Sequence, residues 1–172
     1  MSMNRVYYGP KISTLAREEI IVAAHLLNVT AEELTPTYRE ELKERVKDRY
    51  VDRELLLRKK RRLRERMGSA LRGPGISVRH DGAWRWLGSF LGNKPTFMLF
   101  DKVTAESGFS FPNGEDIVSV LGESIGFEFY LTDEAVSFLL CYQRSNYLVA
   151  LGGATDWLES ILQEKNLAPL PF

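Results

Sequence analysis

One local pattern in the chain is typical of a catalytic serine. Gly122-Glu123-Ser124-Ile125-Gly126 fits G-x-S-x-G, which in hydrolases places an activated serine on a sharp turn from a strand into a helix. Here helix-like sequence precedes Ser124 and strand-like sequence follows it, the reverse of the required order. Both histidines, His25 and His80, lie upstream, whereas the hydrolase order needs a histidine after the serine. We therefore expect Ser124 in an ordinary helix-to-strand turn.

The remaining candidate side chains for chemistry are two histidines and one cysteine. His80 precedes Asp81, which could orient an imidazole for acid-base work, whereas His25 lies in apolar helical sequence and is expected to be a half-buried packing residue. Their separation does not support a transition-metal site, and the single Cys141 excludes an intrachain disulfide and a cysteine-based zinc site. We expect no catalytic residue, metal or cofactor. The sequence leaves open an enzyme whose carboxylates converge only in the fold.

A run of cations is the most distinctive local composition. Clustered guanidinium groups form bidentate phosphate contacts and release counterions, so this run is the candidate nucleic-acid surface. The alternative is a solvated helix end whose cations suit the helix dipole, and we favour it because no aromatic residues interleave with the cations. The candidate residues are Arg58, Lys59, Lys60, Arg61, Arg62, Arg64 and Arg66.

The balanced charge of the whole chain hides a division. Its 172 residues carry 23 Lys and Arg against 23 Asp and Glu, yet residues 1–75 have a charge of +6 and residues 76–172 a charge of −6. The change falls at Gly73-Pro74-Gly75, the strongest breaker of regular structure in the chain. We place a boundary there between a helical, basic subregion, 1–75, and an α+β subregion, 76–172, within one compact domain.

Size and hydropathy narrow the class of protein further. The 44% hydrophobic and 11% aromatic content excludes a disordered chain. No apolar run approaches the roughly 18 to 20 residues that span a bilayer, and the first ten residues lack the apolar stretch of a signal peptide. We expect a cytoplasmic protein without membrane contact.

The first subregion is predicted to be helical. Ser13 or Thr14 caps a first helix that stops at Asn28, and Thr30 with Glu33 has capping-box spacing for a short turn. Thr35 before Pro36 is expected to start one long helix, since Thr supplies a cap oxygen and Pro suits the first helical position. Its apolar face comprises Tyr38, Leu42, Val46, Tyr50, Leu56, Leu57, Leu63 and Met67.

The second subregion is predicted to be a mainly antiparallel sheet with packed helices. Expected strands cover 76–79, 96–101, 109–111, 126–132, 137–143 and 147–151, and expected helices 83–91, 115–123 and 155–165. Short polar connectors join the last three strands, which indicates an antiparallel meander. The middle one is apolar on both faces and should be central, whereas the first has a polar face at Glu128, Tyr130 and Thr132 that we expect to be wet. The fold class is therefore α+β.

From Trp84 to Leu158 the order of these features resembles a family of small bacterial α+β domains similar to the immunity proteins of polymorphic toxin systems. The resemblance rests on the 96–101 and 109–111 strands, the 116–121 helix, and above all 127–133, 138–142 and 147–152. A histidine pair often follows the cysteine-containing strand in that pattern, and this chain has Arg144-Ser145 there, so any role of that pair is absent or changed. The resemblance implies a fold and a protein partner more than an activity.

The leading hypothesis is a non-enzymatic protein-binding module that blocks a toxin by occluding its active surface. Complementary charge commonly steers such partners, and the second subregion is acidic. The oligomeric state is left undetermined by the sequence. The candidate partner-binding residues are Asp101, Glu106, Glu115, Asp116, Glu123, Asp133 and Glu134.

Overall fold

The computed structural model describes residues 12–63 and 66–172, and within these ranges the side chains of all residues other than 12–14 and 60–63. Its helices are α1 (Ile12–Leu26), α2 (Pro36–Tyr50), α3 (Arg53–Leu63), α4 (Leu87–Leu91), α5 (Asp116–Gly122) and α6 (Thr155–Glu164). Its strands are β1 (Glu32–Glu33), β2 (Gly75–Arg79), β3 (Thr96–Leu99), β4 (Gly108–Phe111), β5 (Phe129–Thr132), β6 (Phe138–Gln143) and β7 (Tyr147–Gly152). Short 3-10 turns occur at Met67–Ser69, Ala83–Trp86 and Arg144–Asn146.

The strands form one sheet with the order β1-β4-β3-β5-β6-β7-β2, and every neighbouring pair is antiparallel. The predicted α+β class and the β5-β6-β7 meander are therefore confirmed. Strand β6 lies between β5 and β7 and is buried on both faces, as its continuous apolar sequence predicts.

Helices cover the sheet on both faces. Because strand side chains alternate, Leu131 and Leu140 join the core shared with α1, α4, α5 and α6, whereas Leu139 and Cys141 join the core shared with α2 and α3. The second core contains residues from before and after the Gly73–Gly75 boundary. The basic helical part therefore packs directly on the acidic sheet.

The expectation of a wet face on β5 is wrong. Tyr130 is 3% exposed and Thr132 is 0% exposed. Tyr130 belongs to the second core, together with Leu42 and Val46 of α2. The strand pattern alone could not show that a distant helix covers this face.

The expected single long helix is two helices. Tyr50 ends α2, and Val51 is extended (φ −121°, ψ 132°) and forms a bridge with Leu71. Asp52 then caps α3, because its side chain accepts a hydrogen bond of 2.9 Å from the Leu55 N–H. The start of α2 is as predicted, with the Thr35 hydroxyl accepting from the Tyr38 N–H at 3.3 Å.

The expected turn around Thr30 and Glu33 is also different. Glu32 and Glu33 form β1 and pair with Ser110 and Phe109 of β4. The Glu33 carboxylate accepts two hydrogen bonds from Arg17 at 2.7 and 2.8 Å, which lowers its pKa. This ion pair ties α1 to the edge of the sheet.

The opposite edge of the sheet is β2. Ser77 exchanges two backbone hydrogen bonds with Leu170, at 2.8 and 3.2 Å, and its hydroxyl donates to the same carbonyl at 3.0 Å. Gly75, at the start of β2, approaches β7 so closely that a Cβ there would lie 2.6 Å from the Ala150 carbonyl oxygen. The segment after α6 thus runs along the outer side of β2.

Candidate functional site

The 3-10 turn that follows α3 is anchored to the sheet by three polar contacts. The Met67 N–H donates to Asp101 at 2.9 Å and the Gly68 N–H donates to the Tyr130 hydroxyl at 2.7 Å. The Gln143 amide donates to the Gly68 carbonyl at 2.9 Å. A Cβ on Gly68 would lie 2.7 Å from that amide nitrogen, so a larger residue there would displace the Gln143 side chain.

Asp101 is the buried centre of this anchor. It is 5% exposed, and its second carboxylate oxygen accepts from the Tyr130 hydroxyl at 2.7 Å. Burial raises the pKa of Asp101, while the two hydrogen bonds oppose that rise. Burial also raises the pKa values of the Tyr130 hydroxyl and the neighbouring Cys141 thiol, so both stay protonated at neutral pH. Cys141 is thus buried and lacks the lowered pKa that activates a cysteine nucleophile.

Two adjoining cavities open beside the turn. The larger, of about 260 Å³, extends to Ala16 of α1 and to Phe127, and the smaller, of about 130 Å³, extends to Asp101. Both are lined by Arg66, Glu128, Tyr142 and Gln143. We call this pair of cavities the Arg66 cleft. Two carboxylates, those of Asp101 and Glu128, thus converge on the smaller cavity.

Charges in the Arg66 cleft are only partly matched. An Arg66 Nη1 atom lies 3.6 Å from Glu128, which is too long for a hydrogen bond, and the buried Nε has no partner among the described residues. Glu128 also accepts from the Arg144 N–H at 3.0 Å. The Arg144 side chain is exposed and forms no ion pair within the described part of the chain. The larger cavity is therefore lined by two guanidinium groups and one carboxylate, and the second carboxylate, that of Asp101, lines only the smaller cavity.

An exposed apolar surface lies close to the larger cavity. Leu15, Val22 and Leu26 are 48, 57 and 72% exposed and share one face of α1, opposite the face that buries Ile20. Ile125 is 70% exposed, and its N–H donates to Glu19 of α1 at 3.2 Å. We call Leu15, Val22, Leu26 and Ile125 the α1 patch.

The acidic residues predicted to bind a partner do not form one surface. The prediction that Asp101 contacts a partner is wrong, because both of its carboxylate oxygens accept hydrogen bonds inside the fold. Leu99 of β3 pairs with Tyr130 of β5, so the loop after β3 and the turn after β5 lie at opposite ends of the sheet. The first contains the exposed Glu106, and the second contains Asp133 and Glu134.

The other predicted acids lie around α5. Asp116 is in its first turn and is half-buried, whereas Glu115 before it and Glu123 after it are exposed. Of all these acids, Glu123 lies nearest in sequence to the α1 patch, two residues from Ile125.

The basic segment is partly engaged by the fold. Lys59 donates to the Ser69 carbonyl at 2.5 Å, and Arg66 faces Glu128, while Arg58 is exposed. The side chains of Lys60, Arg61 and Arg62, and the whole of Arg64, lie outside the described residues. Nucleic-acid binding by this segment therefore stays a prediction.

The remaining sequence motifs have structural roles. Ser124 donates to the Val120 carbonyl at 2.6 Å after the end of α5, which agrees with a helix-to-strand turn. His80 accepts from the Gly82 N–H at 3.0 Å, whereas Asp81 accepts from Asn146 at 2.8 Å, so the two do not form an acid-base pair. His25 is exposed, and its predicted half-burial is wrong.

Comparison of the chain with protein-family models, curated proteins and solved structures finds no significant match. Among the described residues, no three His, Cys, Asp or Glu side chains are grouped as metal ligands. Within the same residues, no helix has the length and apolarity needed to cross a membrane.

Sequence reasoning missed both of these features. The spacing of Leu15, Val22 and Leu26, seven and four residues apart, places them on one helix face and was the available signal for the patch. The cleft joins Arg66, Glu128 and Gln143 from three separate segments, and no local pattern marks it.

Proposed function

We propose that this chain is a protein-binding module whose partner contacts the α1 patch. The observation that carries the proposal is the exposure of its four large aliphatic side chains, from 48 to 72%. Single exposed aliphatic residues are ordinary, but a helical stripe extended by a neighbouring loop residue is typical of an interaction surface. The partner's corresponding surface is an apolar groove or an amphipathic helix.

Charges at the rim of the patch indicate the character of the partner. Glu18 lies one turn before Val22, and Glu123 lies two residues from Ile125, and both are exposed. Glu19 is half-buried beside them. A partner surface with basic residues around an apolar centre complements this arrangement, and rim charges of this kind mainly accelerate association.

The finer form of the proposal is an immunity-type role, in which the bound module occludes the active surface of a toxin. Its support is the resemblance of residues 84–158 to immunity proteins. Co-expression with a toxin encoded by a neighbouring reading frame tests it. The module should restore growth, and the double variant V22D/L26D should fail to do so, whereas failure of the unmodified chain to protect against such toxins contradicts this role.

Photocrosslinking tests the broader proposal. A photoreactive residue replaces Val22 or Leu26 in the native host, and a matched chain carries it at Leu57, which is 65% exposed on α3 across the sheet. We expect one protein to crosslink from the two patch positions and not from Leu57. The purified protein should then bind the unmodified chain and L57D alike, and bind V22D/L26D at least tenfold more weakly.

Two results contradict the proposal. Equal binding of that partner to V22D/L26D and to the unmodified chain would show that the patch is not the interface. The same crosslinked products from Leu57 and from the patch would show nonspecific capture. Thermal unfolding of V22D/L26D serves as the control for folding, since substitutions at exposed sites usually change stability by less than about 0.5 kcal/mol.

A further inference from the structure

We propose that the Arg66 cleft is a binding site for a carboxylate group attached to a short apolar body. The ligand is a small organic acid or the acidic side chain of a bound protein. This proposal is independent of the α1 patch, because it rests on the donors and charges of the cleft alone.

The Arg66 guanidinium group has hydrogen-bonding capacity that the fold leaves unmatched. A guanidinium group has five N–H donors in a planar fork, and none of them makes a hydrogen bond within the described part of the chain. Its Nε is buried, and buried donors are almost always satisfied. The Arg66 side chain is 35% exposed although Nε is buried, so the terminal nitrogens are the accessible donors, and a carboxylate in the cleft would accept from both of them in a bidentate geometry.

The charge of the larger cavity favours a ligand with a single negative charge. In the larger cavity, Arg66 and Arg144 face one carboxylate, that of Glu128, whereas Asp101 lines only the smaller cavity and is engaged by Met67 and Tyr130. A single negative charge from a ligand would therefore balance the larger cavity. A phosphate dianion would overcompensate this charge and would lie close to the Glu128 carboxylate. The balance therefore favours a monoanionic carboxylate over phosphate.

The shape of the site and its fixed backbone suit a short apolar ligand. The larger cavity, of about 260 Å³, has apolar walls at Ala16, Val103 and Phe127 and amides at Gln143 and Asn146, and it holds a chain of a few carbons. Arg66 begins the anchored turn, where its carbonyl accepts from the Ser69 hydroxyl at 2.8 Å. The backbone that carries the guanidinium is thus held in place before any ligand binds, which reduces the entropy lost on binding.

Nuclear magnetic resonance of the full chain tests the proposal with butyrate as the probe. Butyramide, which has the same shape without charge, is the matched neutral control, and inorganic phosphate is the second anion. All titrations are made at constant ionic strength. Butyrate should shift the Arg66 Nε–H signal and the amide signals of residues 126–128 and 143–146 in a saturable manner, and butyramide and phosphate should shift them at least tenfold more weakly.

Three variants separate binding from folding. R66Q should weaken butyrate binding by about tenfold or more, as expected for a lost hydrogen bond to a charged group, and R144Q should weaken it less. R58Q, which removes an exposed cation of the same segment, should leave it unchanged. E128Q should strengthen butyrate binding severalfold, because it removes the competing anion while its amide oxygen can still accept from the Arg144 N–H.

The source of the carboxylate is distinguished by a short peptide containing Glu, compared with the same peptide containing Gln. Tighter binding of the Glu peptide than of butyrate indicates a protein ligand, and the reverse indicates a small organic acid. The proposal is overturned if butyrate and butyramide shift the same signals equally, if no signal of the cleft saturates, or if E128Q weakens binding as R66Q does.

Discussion

Replacement of Tyr130 by Phe is the sharpest test of how the turn after α3 is held. The Tyr130 hydroxyl donates to Asp101 and accepts from the Gly68 N–H, both at 2.7 Å, in a side chain that is 3% exposed. Loss of a hydrogen bond to a charged group costs about 1.5 to 3 kcal/mol, and the unsatisfied Gly68 N–H adds about 1 kcal/mol or more. We expect Y130F to lower the free energy of unfolding by about 3 kcal/mol.

The matched control is Y50F. Tyr50 is also buried, but its hydroxyl makes one neutral hydrogen bond, to the Val136 carbonyl at 3.0 Å, so its loss should cost only about 1 kcal/mol. Urea unfolding of both variants gives the comparison, and in a chain of this size Y130F should also melt roughly 6 to 12 °C lower.

A double-mutant cycle with D101N isolates the contact between Tyr130 and Asp101. Y130F should cost clearly less when Asp101 is already Asn, because the hydrogen bond to a charged group is then absent. Equal costs of Y130F in both backgrounds, or a Y130F cost no larger than that of Y50F, would refute the reasoning.

Three further predictions concern other parts of the chain. Burial raises the pKa of Asp101, so the folded chain binds the Asp101 proton more tightly than the unfolded chain does. The stability of the unmodified protein relative to D101N should therefore fall as the pH rises from about 3.8 through the raised pKa, and it should be constant above that pKa. Urea unfolding at several pH values measures this dependence. G152A should lower the free energy of unfolding by about 3 kcal/mol in the same assay, because Gly152 has a φ of +61° and a Cβ there would meet a tyrosine hydroxyl and a carbonyl oxygen. An unchanged unfolding midpoint would contradict this geometry. A low-salt mobility-shift titration tests the nucleic-acid hypothesis, which expects weaker binding and a flatter salt dependence when Arg61, Arg62 and Arg64 become Glu; an absent or unchanged shift excludes it.

Local patterns were sufficient to predict most elements of the sheet. Continuous apolar runs, such as the one in β6, and short polar connectors specify both the strands and their antiparallel pairing. The Thr35-Pro36 pair likewise specifies the start of α2. These features depend on residues close together in sequence, so one sequence contains the information.

Features that depend on distant residues were not predictable in this way. The local sequence predicts that Tyr130 faces solvent, but α2 covers it in the fold. The local sequence likewise predicts that Asp101 is a surface acid, but the turn at Met67 packs against it. Apolar periodicity continues across the break between α2 and α3 and favours one helix, although Asp52 is a good cap residue for α3. For the candidate sites, the helical spacing on α1 was readable, whereas the Arg66 cleft needed three-dimensional proximity.

The pairing of Leu170 with Ser77 has a consequence for handling the protein. A sheet edge with free N–H and C=O groups is a template for pairing with another chain. Residues 168–172 follow α6 and are a natural choice for truncation before crystallisation. They nevertheless cover part of the outer edge of β2. Their removal would uncover that edge, and the shortened chain should form concentration-dependent aggregates while keeping its α1 patch and Arg66 cleft intact.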